Sequence, residues 1–497
     1  MKKTFPSLLI LFGVLLALFF LLADVIGPGK AGIQAAQILG MEIGVLFVVA
    51  GAVFNTLQKR SEFTFGMFWS SLQKALGDLP ALIWVMLGAL PAFILFFIVP
   101  AFFDPTLRIQ YPVDYIRQIV PIGIDFQSML SAVDIWLKGG QNTQVVFAPL
   151  VNVLFAPLLL IKYPASYCIL TFITLASYLA LSLLAALMID GRNKPLIAFI
   201  AAISILSYGL MFELERGQTY TLSFALCLLA IYLFHWQRDL RWLAYLLFCI
   251  SVQMKFYPAL FVLLLVDDWR DWKNILLRFA GLGLANFLLL FIFGIPYFSA
   301  FLTHVTSSVQ SGEVAVANHS IQSFVSMLSS SEWDLFRGES ALWMEQNSGL
   351  LSSLLYIYFF VCFAVVLVGA WVRNRPGFDP DLLMVCVVGS LVLPSVNHDY
   401  TLPLLTAPFA LAVAGWHVHD HSAPKTLTII LTLAASFAYS VVLIPHVFKP
   451  LYLGNSLPML FIILTVVTLQ NVTVGTSREA VSSLKGGVAL GYSTPPS

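Results

Sequence analysis

Apolar runs of about 20 residues, the length a helix needs to cross the hydrocarbon core of a bilayer, recur along most of this chain. That single feature removes most folds. Backbone N–H and C=O groups find no water inside a bilayer, so a spanning segment is either a helix or a strand of a closed barrel. The runs lack the period-two alternation of barrel strands, which leaves helices. Composition agrees: charged residues make up 10% of the 497 residues, against roughly 25% in a water-soluble protein.

Spans are expected near residues 7–27, 32–56, 81–103, 166–189, 195–213, 219–236, 276–298, 350–372, 382–394, 402–416, 425–445 and 455–471. Residues 241–266 are apolar but carry Lys255 and Pro258 in their middle, and they read as two short helices broken there. The run 145–161 is too short and too proline-rich to cross, and is expected to lie at the interface or dip in. The fold class is therefore all-α, a polytopic membrane protein with about 12–14 membrane helices. Its expected organisation is a two-helix membrane extension over 1–80, a transmembrane catalytic domain over 81–471 and a disordered cytoplasmic tail over 472–497. Met1-Lys2-Lys3 followed by Leu8 to Leu22 resembles a signal peptide without an obvious cleavage site, so a retained signal-anchor helix is expected.

Lys and Arg concentrate in short cytoplasmic loops. With the N-terminus in the cytoplasm, Lys59/Arg60/Lys74, Arg192/Lys194, Arg238/Arg241, Arg270/Lys273/Arg278 and Arg373/Arg375 all fall inside. The long stretches 104–144 and 303–349 then face outward, as do the turns around 213–218, 255–258 and 395–400. The unusual polar residues thus gather on one side of the membrane, and that side is where chemistry is expected.

Several function classes drop out. A net charge of +1 gives no reason to expect nucleic acid. Cys168, Cys227, Cys249, Cys362 and Cys386 sit inside apolar runs without metal-ligand spacing, so buried thiols are expected rather than disulfides or zinc. No glycine-rich phosphate cradle and no metal cluster is expected on the inner face, which argues against a nucleotide-driven enzyme or pump.

In the first outer stretch Asp125 precedes Phe126, Met129, Leu130, Val133 and Leu137, an amphipathic helical spacing suited to the membrane surface. Asp125 stands where an N-cap would. It also fits a general base, since a carboxylate can take the proton of an attacking hydroxyl. Lys255 at membrane depth is either a phosphate-neutralising cation or a snorkelling side chain. Arg216 either pairs with Glu213 or Glu215 or holds a phosphate. His319, His398 and Asp399 read as structural groups or as acid/base and substrate-bonding groups.

Taken in order, these segments resemble glycosyltransferase family 87, within the GT-C superfamily of membrane glycosyltransferases. The likeness rests on Gly123-Ile124-Asp125-Phe126 before an amphipathic helix, on Phe147-Ala148-Pro149-Leu150 with Phe155-Ala156-Pro157-Leu158, and on Arg216-Gly217-Gln218 at the start of a span. It continues through Lys255-Phe256-Tyr257-Pro258, Asn318-His319-Ser320 and Ser395-Val396-Asn397-His398-Asp399-Tyr400. It covers about residues 81–445, and departs from the family's aromatic-Pro-Pro-Leu segment where Ala148 replaces the first proline.

The resemblance implies an outward-facing active site, a polyprenyl-phosphate sugar as donor (mannose favoured), a lipid or glycan acceptor, and inversion at the anomeric carbon. It implies Asp125 as catalytic base, Lys255 and Arg216 on the donor phosphate, and Gln218, Tyr257, His319, His398 and Asp399 as substrate-binding residues, with no metal and no further cofactor. Membrane lipids are the surrounding partner. Two other readings stand beside it: a transporter or flippase of lipid-linked sugars, and a polymerase or ligase of surface polysaccharide. A transporter should show broken helices in matching positions of two halves, whereas the sequence signals one break, at Lys255 to Pro258.

Overall fold

The computed structural model describes residues 5–21, 35–58, 122–138, 147–188, 208–311, 317–329, 339–374, 377–408, 411 and 455–486. The spans expected over 81–103 and 425–445, and most of 195–213, lie outside the described residues. What is described is helical apart from turns. The helices are α1 Phe5–Leu21, α2 Ala35–Gln58, α3 Ile124–Leu137, α4 Pro149–Phe155, α5 Tyr163–Leu187, α6 Tyr208–Arg216, α7 Tyr220–Trp236 and α8 Arg241–Met254. Then come α9 Trp272–Leu289, α10 Gly294–Ser311, α11 Ile321–Ser329, α12 Glu339–Gln346, α13 Ser348–Arg373, α14 Pro380–Val392 and α15 Leu457–Gly486.

Among the described residues three helices, α2, α5 and α13, are long and apolar enough to cross a membrane. The count rises to five if each of two bent pairs is one span: α6 with α7, bent by 112°, and α9 with α10, bent by 100°. On α13 the side chains of Leu350, Leu354, Ile357, Phe360, Val361, Val368 and Trp371 are exposed. So much apolar surface on one element has no place in water and marks a face turned to lipid. The chain is a membrane protein.

Several local expectations hold and several are corrected. Residues 241–266 do form two pieces, α8 and a 3-10 helix over Tyr257–Leu264, with Lys255 extended between them (φ −150°, ψ 136°). The run 145–161 folds as the seven-residue α4 and a 3-10 turn over Ala156–Leu160, well short of a crossing. The single span expected over 276–298 is instead bent. Gly294 takes a left-handed φ of +84°, and Pro296 follows inside the new helix, where its missing N–H has no partner to lose. The span expected from 402 opens as a 3-10 helix, Asp399–Leu405, with Pro403 inside it. The boundary expected at 472 falls within α15, which runs to Gly486, so a disordered tail beginning there is replaced by helix through that residue. The outer loop expected over 303–349 is largely helix, carried by α10, α11 and α12.

The core lies around α14, whose residues Leu382 to Val392 are all buried. A helix that is apolar on every side belongs in the centre of a bundle. Packed with it are Phe224, Leu228 and Ile231 of α7, Phe248 and Val252 of α8, and Leu460, Ile463 and Leu464 of α15. The start of α14 is fixed by Asp379, which accepts from the N–H groups of Asp381 and Leu382 and pairs with Arg373 at 2.7 Å. Asp381 in turn accepts from Asn471. The Asp379-Pro380-Asp381 sequence is thereby committed to helix capping.

The N-terminal hairpin shows how small residues build a membrane contact. A Cβ at Gly44 would lie 2.7 Å from both the Gly13 carbonyl oxygen and the Ala17 nitrogen, so α1 and α2 meet at backbone distance, as small residues permit. Ile38 of α2 is buried with Val133 of α3 and Ala156, which docks the hairpin on the helices that carry the site. Gly44→Leu should lower the thermal midpoint of the detergent-solubilised protein, with a loss of about 1–3 kcal/mol as for an overpacked interior. An unchanged midpoint would show that the helices do not touch there.

Candidate active site

Two left-handed glycines bring the site together. Gly123 (φ +73°) precedes α3, and Gly217 (φ +69°) separates α6 from α7. The Gly123 N–H donates to the Glu215 carbonyl at 2.6 Å. A Cβ at Gly217 would stand 2.6 Å from the Phe126 Cβ and 3.3 Å from the Gly123 Cα. Only glycine adopts this backbone without strain and also leaves room for the other turn. Two tyrosines of α5 bolt the pair in place: Tyr163 donates toward Gly123 at 3.0 Å, and Tyr167 donates to the Leu214 carbonyl at 2.7 Å.

The apolar face of α3 confirms the helical spacing but not its expected partner. Phe126, Met129 and Leu130 are buried against Val151, Phe155, Tyr167, Leu170 and Met254. This face seals onto protein rather than resting on the membrane surface.

The N-cap of α3 is Gly123, and no side chain caps it. Asp125 lies in the first turn and turns its carboxylate outward from the helix to Arg216. Arg216 Nε donates to Oδ2 at 2.5 Å and Nη2 to Oδ1 at 2.8 Å, the two-pronged geometry that suits guanidinium and carboxylate. Gln218 Nε2 adds a third bond, to Oδ2 at 2.7 Å. The capping reading of Asp125 is thereby replaced by an ion pair. Its side chains are partly exposed, Arg216 at 31% and Asp125 at 20%, so small molecules can reach it.

Lys255 joins the same cluster. Its Nζ donates to the Oε1 of Gln218 at 2.8 Å and lies 4.2 Å from the Tyr220 ring centre and 5.5 Å from that of Phe147. The Gln218 amide therefore bridges Asp125 and Lys255, its NH2 to the acid and its C=O to the base. The lysine leaves the end of α8, where Ser251 and Ser223 exchange hydroxyl-to-carbonyl bonds that hold α8 close to α7. Tyr257 donates to the Tyr220 carbonyl at 2.9 Å and its ring stacks on Tyr220 at 5.6 Å.

Glu213 explains the sharp turn between α6 and α7. Its buried carboxylate accepts from the Thr221 N–H at 2.7 Å and from the Thr221 hydroxyl. These two bonds tie the end of α6 to the first turn of α7. Glu213, Tyr220 and Phe147 were not singled out as site residues by the sequence reading. Their roles arise from contacts between distant segments, which no local spacing announces.

A second polar cluster ties three segments together. His319 Nδ1 lies 3.2 Å from Asp399 Oδ1, and His319 Nε2 lies 3.2 Å from the Thr401 hydroxyl. Ser456 donates to Asp399 at 3.3 Å, and Asn455 donates to the Asn318 carbonyl at 2.9 Å. Asn318 and His398 form an antiparallel bridge, with the His319 N–H on the Asn397 carbonyl and the Asp399 N–H on the Ala317 carbonyl. Burial pushes the Asp399 carboxyl above its ordinary range, and the bond and charge of His319 oppose that rise. His319, His398 and Asp399 are thus brought together, but buried. They meet the first cluster through Tyr400, whose ring lies 5.4 Å from His398 and 5.3 Å from Tyr220.

The structure therefore assembles Asp125, Arg216, Gln218, Lys255 and Tyr257 directly, and His319, His398 and Asp399 at one remove. Among the described residues no three His, Cys, Asp or Glu side chains gather as metal ligands. A partly open carboxylate beside a guanidinium and an ammonium can hold an anionic group and accept a proton within one small volume.

The family model for glycosyltransferase family 87 matches residues 146–395. The chain belongs to this family. The matched stretch holds Arg216, Gln218, Lys255, Tyr257 and His319, while Asp125 lies before it and His398 and Asp399 just after. No curated protein shows a significant match to the chain. As a family 87 member, it is a glycosyltransferase embedded in a membrane.

Gly217→Ala should displace the ion pair by forcing α3 away from the turn, with about 1–2 kcal/mol lost to the left-handed backbone alone. Its thermal midpoint should fall, whereas Gly281→Ala, at a glycine with nothing within 4 Å, should not lower it. Equal behaviour of the two variants would remove the two-turn contact from the design of the site.

Proposed function

We infer that the protein transfers a sugar, mannose being favoured, from a polyprenyl-phosphate donor to a lipid or glycan acceptor on the outer face of the cytoplasmic membrane. The observation that carries this reading is the Gln218 amide bridging Asp125 and Lys255. A phosphate-binding cation and a proton-accepting carboxylate are held a fixed distance apart, in a protein of glycosyltransferase family 87 that meets lipid along its flanks.

In the proposed reaction the acceptor hydroxyl loses its proton to Asp125 as its oxygen attacks the anomeric carbon. The bond from that carbon to the phosphate oxygen breaks on the opposite side, which inverts the configuration. The bonding pair leaves on polyprenyl phosphate, and Lys255 and Arg216 stabilise the charge that develops there. Fixed cations in a site shielded from bulk water are most effective in that role. Tyr257 and Tyr400 hold Tyr220, and with it Lys255, from behind. His319, His398 and Asp399 support Tyr400.

The breaks at Gly217 and Gly294, beyond the one expected at Lys255, would also suit a transporter. Membership of a glycosyltransferase family favours the enzyme, and a transfer assay separates the two. Asp125→Asn should reduce transfer from a polyprenyl-phosphate sugar by about 10²–10⁴-fold, the usual contribution of a general base, while the protein still inserts and stays folded. Near-normal turnover would take Asp125 out of the mechanism.

The outward orientation rests on the distribution of Lys and Arg. Gln127 is exposed beside Asp125. In intact cells, Gln127→Cys should add a site for a membrane-impermeant thiol reagent beyond the labelling of the parent protein. Labelling only after the cytoplasm is opened would reverse the topology and the lipid-donor reading with it.

A further inference from the structure

Asp125 is a paradoxical base. Its two oxygens accept three bonds, two of them from a guanidinium, and an ionised carboxylate offers only about four lone-pair sites. As it stands, the group is oriented and occupied rather than ready to take a proton.

Both donors that occupy it are also the groups best placed to meet an incoming phosphate. Arg216 is the last residue of α6, and its partly exposed guanidinium binds phosphate with the same two-pronged geometry that it uses on Asp125. Gln218 is already bonded to Lys255. A phosphate on Lys255 therefore arrives within reach of the whole set, and one oxyanion can replace the other without a net loss of charge pairing. The backbone need not move, because Gly123 and Gly217 lock the two turns against each other.

We propose that Arg216 masks Asp125 until a lipid phosphate draws it away, so that the base is released only when the donor is in place. This rests on the reading of Asp125 as base and of polyprenyl phosphate as the donor's leaving group. It makes donor binding precede productive engagement of the acceptor, and it protects the acceptor hydroxyl from being activated in an empty site.

The test is carbodiimide modification of Asp125, followed by peptide mass spectrometry. The full-length protein in detergent is treated with dicyclohexylcarbodiimide, with and without undecaprenyl phosphate, and compared with Arg216→Lys. A lysine offers a point charge and cannot hold both oxygens. In the wild type, undecaprenyl phosphate should speed modification at Asp125 by about 5- to 150-fold, the usual range for coupling between two sites. Arg216→Lys should react at the faster rate with no lipid present. An Arg216→Lys protein as slow as the wild type would overturn the masking. A fast Arg216→Lys protein together with a wild type that the lipid slows or leaves unchanged would overturn the release by phosphate, and would count against the polyprenyl-phosphate donor while leaving the ion pair's blocking effect standing.

Discussion

Everything in the site hangs on two backbones touching. Gly123 and Gly217 each adopt a left-handed turn, and the Gly123 N–H reaches the Glu215 carbonyl across the gap. The acid that follows the first glycine, and the arginine and glutamine that flank the second, are then at bonding distance in the resting site. No long side chain has to search for its partner. The ordering entropy of the catalytic groups is met during folding, by Tyr163 and Tyr167 of α5 and by the buried face of α3, rather than at each turnover.

Around that contact the protein divides its labour between two kinds of interior. Near α14 the packing is apolar on every side and carries no chemistry. Near the site it is polar, and its acids are bonded: Asp125 with Arg216, Glu213 with Thr221, Asp399 with His319 and Ser456. Burying a charge without such partners costs several kcal/mol. The polar residues are therefore grouped in compact sets joined by aromatic rings, of which Tyr220 touches both sets.

The sequence disclosed the solvent of this protein plainly. Hydropathy located α2, α5, α13 and α14 to within a few residues, and the Lys255 to Pro258 break was legible because a charge and a proline interrupt an apolar run. Less legible was the bend at Gly294, since a glycine within apolar residues reads equally as helix interior or as helix end. The tail was misread for a related reason: Ser, Thr and Gly between 472 and 486 suggest weak helix propensity, yet α15 continues through them. For the site, the residue types pointed to Asp125, Lys255 and Arg216, but not to who binds whom. Arg216 has acidic neighbours at 213 and 215 in the chain, and its bidentate partner lies 91 residues away.

The second polar cluster carries an order of events. Asn318 and Asp399 receive hydrogen bonds from Asn455 and Ser456, at the threshold of the last described helix. A chain made from its N-terminus inserts helix by helix. The turn bearing Tyr400 is therefore synthesised long before the hydroxyl and amide that complete its support exist. The aromatic bridge between the two clusters therefore gains its full support only once the segment bearing Asn455 and Ser456 has been made and has docked.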